Sequence, residues 1–220
     1  MSKNTEGILG GQQGKIGTVV CYIVNGQPRC RGYQEHHRKS NSKEAKKNRN
    51  RFAVLSHLAS KFGYITNFTL AYMTSRENVS SPHHMFVRIN NSSFTTDGEP
   101  DFSRLNLGDG QMASVAIDNV ETTADNNMIA RKVTFSTLAD GASFPTDMVH
   151  FALYFKEHDD ALFASAIRGQ NEVTIKSPTK WESDTKYLYA VAVNTREVDS
   201  NSLLGTIHPK ESSKTTCVEL

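Results

Sequence analysis

The chain has 220 residues, with 25 Lys+Arg against 23 Asp+Glu, a net charge of +2, and 37% hydrophobic residues. Three Cys make no disulfide framework, no apolar run approaches the roughly 20 residues that span a bilayer, and seven Tyr, eleven Phe and one Trp supply core for one or two domains. The near-neutral total hides a split: residues 1–90 carry 14 Lys+Arg and 4 Asp+Glu, a surplus of ten positive charges, while residues 91–220 carry 11 and 19, a surplus of eight negative ones. Such asymmetry is the mark of two differently employed parts.

The start, Met1-Ser2-Lys3-Asn4-Thr5-Glu6-Gly7-Ile8-Leu9-Gly10, has no apolar stretch of signal-peptide length. The expectation is a cytoplasmic protein with no membrane partner. Gly7, Gly10, Gly11, Gly14 and Gly17 lead into the β-branched and aromatic run Thr18–Val24. A phosphate-cradling loop needs the reverse order, strand then loop then helix, so the glycines read as a lead-in to a strand.

Asn25-Gly26 is a type I′ hairpin signal, because both central residues of that turn need φ > 0. A two-residue loop there pairs 24 with 27, 23 with 28, 22 with 29 and 21 with 30. Pro28 then lies at a non-hydrogen-bonded site, where its missing N–H harms no ladder bond. Val19, Cys21, Ile23, Pro28 and Cys30 share an apolar face, and Tyr22, Val24, Gln27, Arg29 and Arg31 share a partly basic one. Cys21 faces Cys30 at a site where Cα atoms lie about 4.5 Å apart. Two readings compete. Two buried thiols suit a reducing cytosol, and a reducible cross-strand disulfide is the alternative.

Arg29, Arg31, Arg38, Lys39, Lys43, Lys46, Lys47, Arg49 and Arg51 fall in one stretch opposed only by Glu35 and Glu44. From Asn41, a candidate cap with Glu44 three residues on, the pattern turns helical. Ala45, Phe52, Leu55, Leu58, Ala59 and Phe62 make one apolar stripe. Cations crowd the first turns, where the helix dipole disfavours them by a few tenths of a kcal/mol each. Lys43 and Lys47 repel at i,i+4. Helix energetics do not account for that crowding. An anionic partner would, either nucleic acid or an acidic protein surface. The competing reading is a solvated face neutralised by the acidic half of the chain.

Tyr64–Ser75 reads either as more helix after Gly63 or as an extended segment. His83-His84 beside Pro82 lack ligand spacing for a metal. Met85–Ile89 reads as a strand.

These motifs in order, Gly14-Lys15-Ile16-Gly17-Thr18-Val19-Val20, then Tyr22, Asn25-Gly26, Arg29 to Arg31, Asn48-Arg49-Asn50-Arg51-Phe52, Phe86–Asn90 and Asp101-Phe102-Ser103-Arg104-Leu105, resemble an uncharacterised protein family common in Bacteroides and relatives. The resemblance covers roughly residues 10–118 and implies no catalytic residue.

From about Gln111 seven short strands are expected: Met112–Ile117, Ile129–Ser136, Met148–Lys156, Leu162–Arg168, Glu172–Lys176, Tyr187–Asn194 and one near Thr215–Val218. Val149, Phe151, Leu153 and Phe155 alternate with His150, Ala152, Tyr154 and Lys156. The run Thr185–Asn194 resembles a fibronectin type III strand, with Tyr187 or Tyr189 as a corner tyrosine. The fold expected is mainly β with one or two helices, α+β overall. A basic hairpin and amphipathic helix fill residues 1–110, and an antiparallel immunoglobulin- or fibronectin-like sandwich fills 111–220.

No catalytic constellation and no cofactor motif is legible. Cys217 has no local base, Asp159 and Asp160 are adjacent, and Asp97, Glu99 and Asp101 lack the downstream Glu of a calcium loop. The functional expectation is a non-enzymatic interaction protein whose basic part binds an anionic partner. The alternative is an assembly subunit, phage-like or cell-surface, in which oppositely charged halves of neighbouring copies make a homo-oligomer.

Overall fold

A β-branched run followed by Asn-Gly favours a tight hairpin, and the computed structural model has one at this point. It describes residues 3–4, 12–24, 26–34, 40–95, 98–125, 127–137, 143–195 and 211–220. The chain divides into two units, Met1–Asn48 and Arg49–Leu220.

In the first unit, β1 (Lys3–Asn4), β2 (Gln12–Ile16), β3 (Val19–Val24) and β4 (Gln27–Gly32) form an antiparallel sheet in that order. The β3–β4 register is the expected one: Val24 opposes Gln27, Ile23 Pro28, Tyr22 Arg29 and Cys21 Cys30. Gly26 has φ +74°, as the turn requires, and Asn25 lies outside the described residues. The glycine-rich lead-in differs from expectation. Gln12–Ile16 is itself a strand, with Gly14 at φ +111° opposite Cys21 and Gly17 at φ +58° in the turn to β3. Only Gly takes such angles cheaply, so these two glycines shape a hairpin rather than a loose leader.

Helix α1 (Lys43–Lys61) runs across the division between the units. Its cap is Ser42, one residue later than expected, whose Oγ accepts from the Ala45 N–H at 3.2 Å. Burial on α1 begins at Leu55 and continues through Leu58 and Ala59, with Phe62 just beyond its end. Phe52, expected in the buried stripe, is 54% exposed.

The ambiguous segment is helical: α2 (Gly63–Thr69) and α3 (Ala71–Arg76) follow directly. Thr66 and Thr74 bond back into the helix, Thr74 Oγ1 to the Leu70 carbonyl at 2.7 Å, which relieves their conflict with helical backbone, while the buried Thr69 donates to the Leu107 carbonyl outside it. The strand expected at Met85–Ile89 is instead α4 (Pro82–Ile89). Pro82 opens the helix, and Ser81 Oγ accepts from the His84 N–H at 3.3 Å, a start signal that outweighs the β-branched content.

Each expected strand of the acidic half has a counterpart, though the first begins at Val115 rather than Met112 and runs on to Asp125; the chain is mainly β, with four α-helices among the described residues where one or two were expected. The strands are β5 (Val115–Asp125), β6 (Met128–Thr137), β7 (Met148–Phe155), β8 (Asp160–Ile167), β9 (Glu172–Pro178), β10 (Lys186–Val193) and β11 (Thr216–Glu219). One sheet has the order β5-β6-β9 and the other β11-β10-β7-β8. Between them lies one core cluster, with Val133, Phe135 and Ile175 meeting Phe151, Leu153, Phe155, Leu188 and Ala190. The expected alternation on β7 is the reason: Val149, Phe151, Leu153 and Phe155 enter this core, and Ala152 and Tyr154 point the other way.

That other face is also buried. Phe62, Ile65, Leu70 and Phe86 from the helices, with Phe102, Leu105 and Leu107, pack on Ala152, Tyr154, Tyr189 and Val191. The second unit is therefore three-layered: helices, a four-stranded sheet and a three-stranded sheet. Residues on both sides of position 110 share the helix-side cluster. Phe62 is its aromatic centre, with ring centroids 5.4 Å from Tyr154 and 5.5 Å from Tyr189. Neither Tyr187 nor Tyr189 enters the sandwich core; both belong to the helix side. Tyr189 donates to the Phe102 carbonyl rather than making a corner bond within the sandwich.

Candidate functional site

Directly opposed residues of an antiparallel sheet share a face. Tyr22 opposes Arg29, Val20 opposes both Arg31 and Lys15, and these side chains therefore stand on one side of the first unit's sheet. Tyr33 joins them: its N–H donates to the Thr18 carbonyl at 2.6 Å, and Lys15 Nζ lies 3.5 Å from its ring centroid. The Arg31 guanidinium stands over Tyr22 at 5.8 Å. Val20, Arg31, Gly32, Tyr33 and Gln34 line a groove of about 550 Å³. Tyr22 and Tyr33 are 37% and 44% exposed, so both rings are half open to solvent.

The opposite face of this sheet carries Ile16, Val19, Cys21, Ile23, Pro28 and Cys30. Cys21 is buried and Cys30 exposed, with Cα atoms 4.2 Å apart. The structure joins them as a disulfide, the second of the two sequence readings. The bond staples β3 to β4 and so fixes the register that puts Arg29 and Arg31 beside Tyr22.

Of the remaining basic candidates, Lys43, Lys46, Lys47 and Arg49 are exposed on α1. Arg51 is half-buried, its guanidinium 5.2 Å from the Phe94 ring centroid, and so serves packing in its own unit. Arg38 and Lys39 lie outside the described residues. Lys15 is the cation that sequence reasoning missed, because its strand read as a loop. The signal was present: Lys15 alternates with Gly14 and Ile16 ahead of a turn glycine.

Every salt bridge among the described residues lies within 49–220, and none involves Lys15, Arg29, Arg31, Lys43, Lys46 or Lys47. The second unit pairs several of its cations locally, Lys61, Arg76, Arg88, Arg131, Lys132 and Lys186 among them. Arg131, nearly buried, pairs with Glu182, which also faces Lys186 Nζ at 3.7 Å. Arg131 Nη1 donates to Ser177 Oγ at 2.5 Å. Asp184, also buried, holds His158 at 2.5 Å.

A second polar chain joins α1 to the β7–β8 turn. Tyr154 Oη donates to Asp159 Oδ1 at 2.9 Å, and His57 Nε2 lies 2.5 Å from Asp159 Oδ2. Burial pushes the Asp159 carboxyl up, but the bonds from His57 and Tyr154 and the charges of His57 and Lys61 outweigh it and hold it below its usual value. Burial raises the Tyr154 phenol well above its ordinary value. These groups bond one another, with Lys61 Nζ 3.8 Å from the same Asp159 oxygen as His57. Other sequence candidates are engaged structurally. His83 and His84 meet Ser56, Ser80 and Ser81 hydroxyls at 3.0, 2.9 and 2.8 Å. Asp101 caps the turn at Phe102–Arg104 through Ser103, and Asp97 lies outside the described residues. Burial raises the Cys217 thiol to about 12 from an ordinary 9.0, so it is held as an unreactive thiol.

No protein-family model, no curated protein and no solved structure matches the chain. No helix among the described residues is long and apolar enough to cross a membrane.

Proposed function

We propose that this chain is a non-enzymatic binding protein whose N-terminal unit engages nucleic acid and whose C-terminal unit is a fibronectin type III-like scaffold. The observation that carries the reading is a crowd of exposed cations: Lys15, Arg29, Arg31, Lys43, Lys46 and Lys47 are all exposed and take part in no ion pair among the described residues. Six solvated cations in a short stretch repel one another and need a reason. A polyanion supplies it, by releasing counterions as each phosphate is neutralised.

The scaffold reading is supported by strand order. Counting from β5, the first, second and fifth strands form one sheet and the third, fourth, sixth and seventh form the other. An immunoglobulin constant-type sandwich places the fourth strand with the first, second and fifth instead. Here β8 pairs with β7, which favours the fibronectin-like arrangement over the constant-type one. The layer of helices on the four-stranded sheet is an addition to either.

The test is binding of mixed-sequence DNA and RNA by the full chain across a salt titration. Phosphate contacts by these cations predict a log–log slope approaching about −4 to −5. No binding at low salt would retire nucleic acid, and light scattering that shows a salt-sensitive oligomer would favour assembly through oppositely charged halves.

A further inference from the structure

We infer that the nucleic acid taken by the first unit is single-stranded, and that Tyr22 and Tyr33 are its base-stacking residues. The inference rests on the polyanion reading above and adds the class of ligand.

The sheet face presents two chemistries in alternating rows. Tyr22 stands with Arg29 in one row, Lys15 and Arg31 flank Val20 in the next, and Tyr33 lies beyond, level with Thr18. Tyr22 on β3 and Thr18 in the turn before it are four residues apart, a span of up to about 13 Å. The two rings thus stand at opposite ends of the face, and the cations of the row between them sit where a connecting backbone would pass. Both rings are partly exposed and already carry a cation over one side, Lys15 on Tyr33 at 3.5 Å and Arg31 on Tyr22 at 5.8 Å. A base stacked on such a ring brings its phosphate within reach of the same cation.

This is the pattern of a single-strand platform, in which aromatic faces stack bases of any sequence and a basic surface tracks the backbone. A duplex hides its bases within the helical stack and would use the cations alone. A sheet that bound only phosphate would have no use for half-exposed tyrosines; Lys or Thr would serve there without the cost of leaving apolar rings in water. The face includes no carboxylate among its described residues, so charge complementarity to a polyanion is unopposed.

The experiment uses the full chain and fluorescence anisotropy with three probes: an oligothymidine of about 15 nucleotides, a duplex of similar length, and heparin, a polyanion without bases. Oligothymidine is expected to bind more tightly than duplex. Tyr22→Ala and Tyr33→Ala should each weaken oligothymidine binding about 5- to 100-fold, leaving heparin affinity and the salt slope unchanged. Tyr22→Phe and Tyr33→Phe should retain wild-type binding, because stacking needs the ring and not the hydroxyl. Unchanged oligothymidine binding in the alanine variants overturns the inference while the polyanion reading stands. A parallel loss of heparin binding also overturns it, since the rings then shape the surface rather than stack bases. Absence of binding by all three probes at low salt overturns both.

Discussion

Tyr189, fully buried on β10, donates its phenolic hydrogen to the carbonyl oxygen of Phe102 at 2.7 Å. This bond ties the middle of the four-stranded sheet to the turn that closes its helical layer. The same carbonyl also accepts from the Leu105 N–H at 3.4 Å and faces Cys217 Sγ at 3.9 Å. Tyr189→Phe therefore removes one bond without orphaning the acceptor. The expected loss is about 1 kcal/mol, with a fall in Tm of about 2–4 °C. Calorimetry at neutral pH measures it. The alkaline limb adds a second readout. Burial raises Cys217 to about 12 from 9.0, so the unfolded chain gives up that proton first. Stability is fully present below pH 9 and falls as pH rises toward 12.

The alternation of β7 was legible because one strand residue in two entered each of two cores. The sequence shows the two faces but not what covers them. Tyr187 or Tyr189 reads as a corner tyrosine of a sandwich, but both lie in the cluster that the helices cover. The basic face was legible as far as the Asn25-Gly26 register reached, which placed Tyr22, Arg29 and Arg31 together. Lys15 was hidden because Gly14 and Gly17 mimic a loop, and their positive φ angles are visible only in the folded backbone. Phe52 shows the limit of periodicity: helical spacing says which residues share a side, and packing partners decide whether that side is buried.

Gly110 faces the returning segment at 211–213 so closely that an added Cβ would lie 1.9 Å from the Ser212 carbonyl oxygen. That oxygen accepts from the Met112 N–H at 3.3 Å, so neither backbone can retreat without breaking the bridge. Gly110→Ala is expected to cost at least the 1–3 kcal/mol of ordinary overpacking, roughly. Gly63→Ala is the control: a Cβ there meets nothing within 4 Å, at the start of α2. It should be neutral or stabilise by about 0.4–1 kcal/mol. Urea denaturation of both variants decides; equal effects would refute the close approach.

Asp159 combines a backbone role with a charge role. Its φ of +50° suits Asp or Asn, and its carboxylate takes bonds from His57 and Tyr154. Asp159→Asn keeps the turn and loses the charge, so its cost should be small, under about 1 kcal/mol, whereas Asp159→Val adds backbone strain of about 1–3 kcal/mol. The carboxyl is held below its usual value, so its contribution is present above about pH 4 and is lost as pH falls through the lower folded value. His150 works in the same direction: burial lowers its pKa, so its contribution is present above about pH 6.5 and is lost as the medium becomes acid. Acid titration of stability should be shallower in Asp159→Asn than in wild type at its lowest-pH portion; identical curves would show that the network carries no charge effect.

The Cys21–Cys30 bond closes a loop with a sequence separation of 9, for which loop entropy gives about 2–3 kcal/mol of stabilisation. That is large for a four-stranded sheet whose β4 residues are all exposed. The unreduced chain should be two hydrogens lighter by intact mass than the reduced one, and a thiol reagent in denaturant should label Cys217 alone until reductant is added. Labelling of all three without reductant would sink the bond. Disulfides persist in oxidising compartments and are rare in reducing ones, so the same measurement on protein taken rapidly from its native cells reports where the chain resides. Cys21→Ser with Cys30→Ser should loosen the β3–β4 register and raise hydrogen exchange at Tyr22 and Arg31, while the second unit, with its own cores, melts unchanged. Because the staple holds Arg29 and Arg31 beside Tyr22, reduction should also weaken oligothymidine binding more than heparin binding: stacking depends on where the ring sits, and charge attraction tolerates a displaced guanidinium.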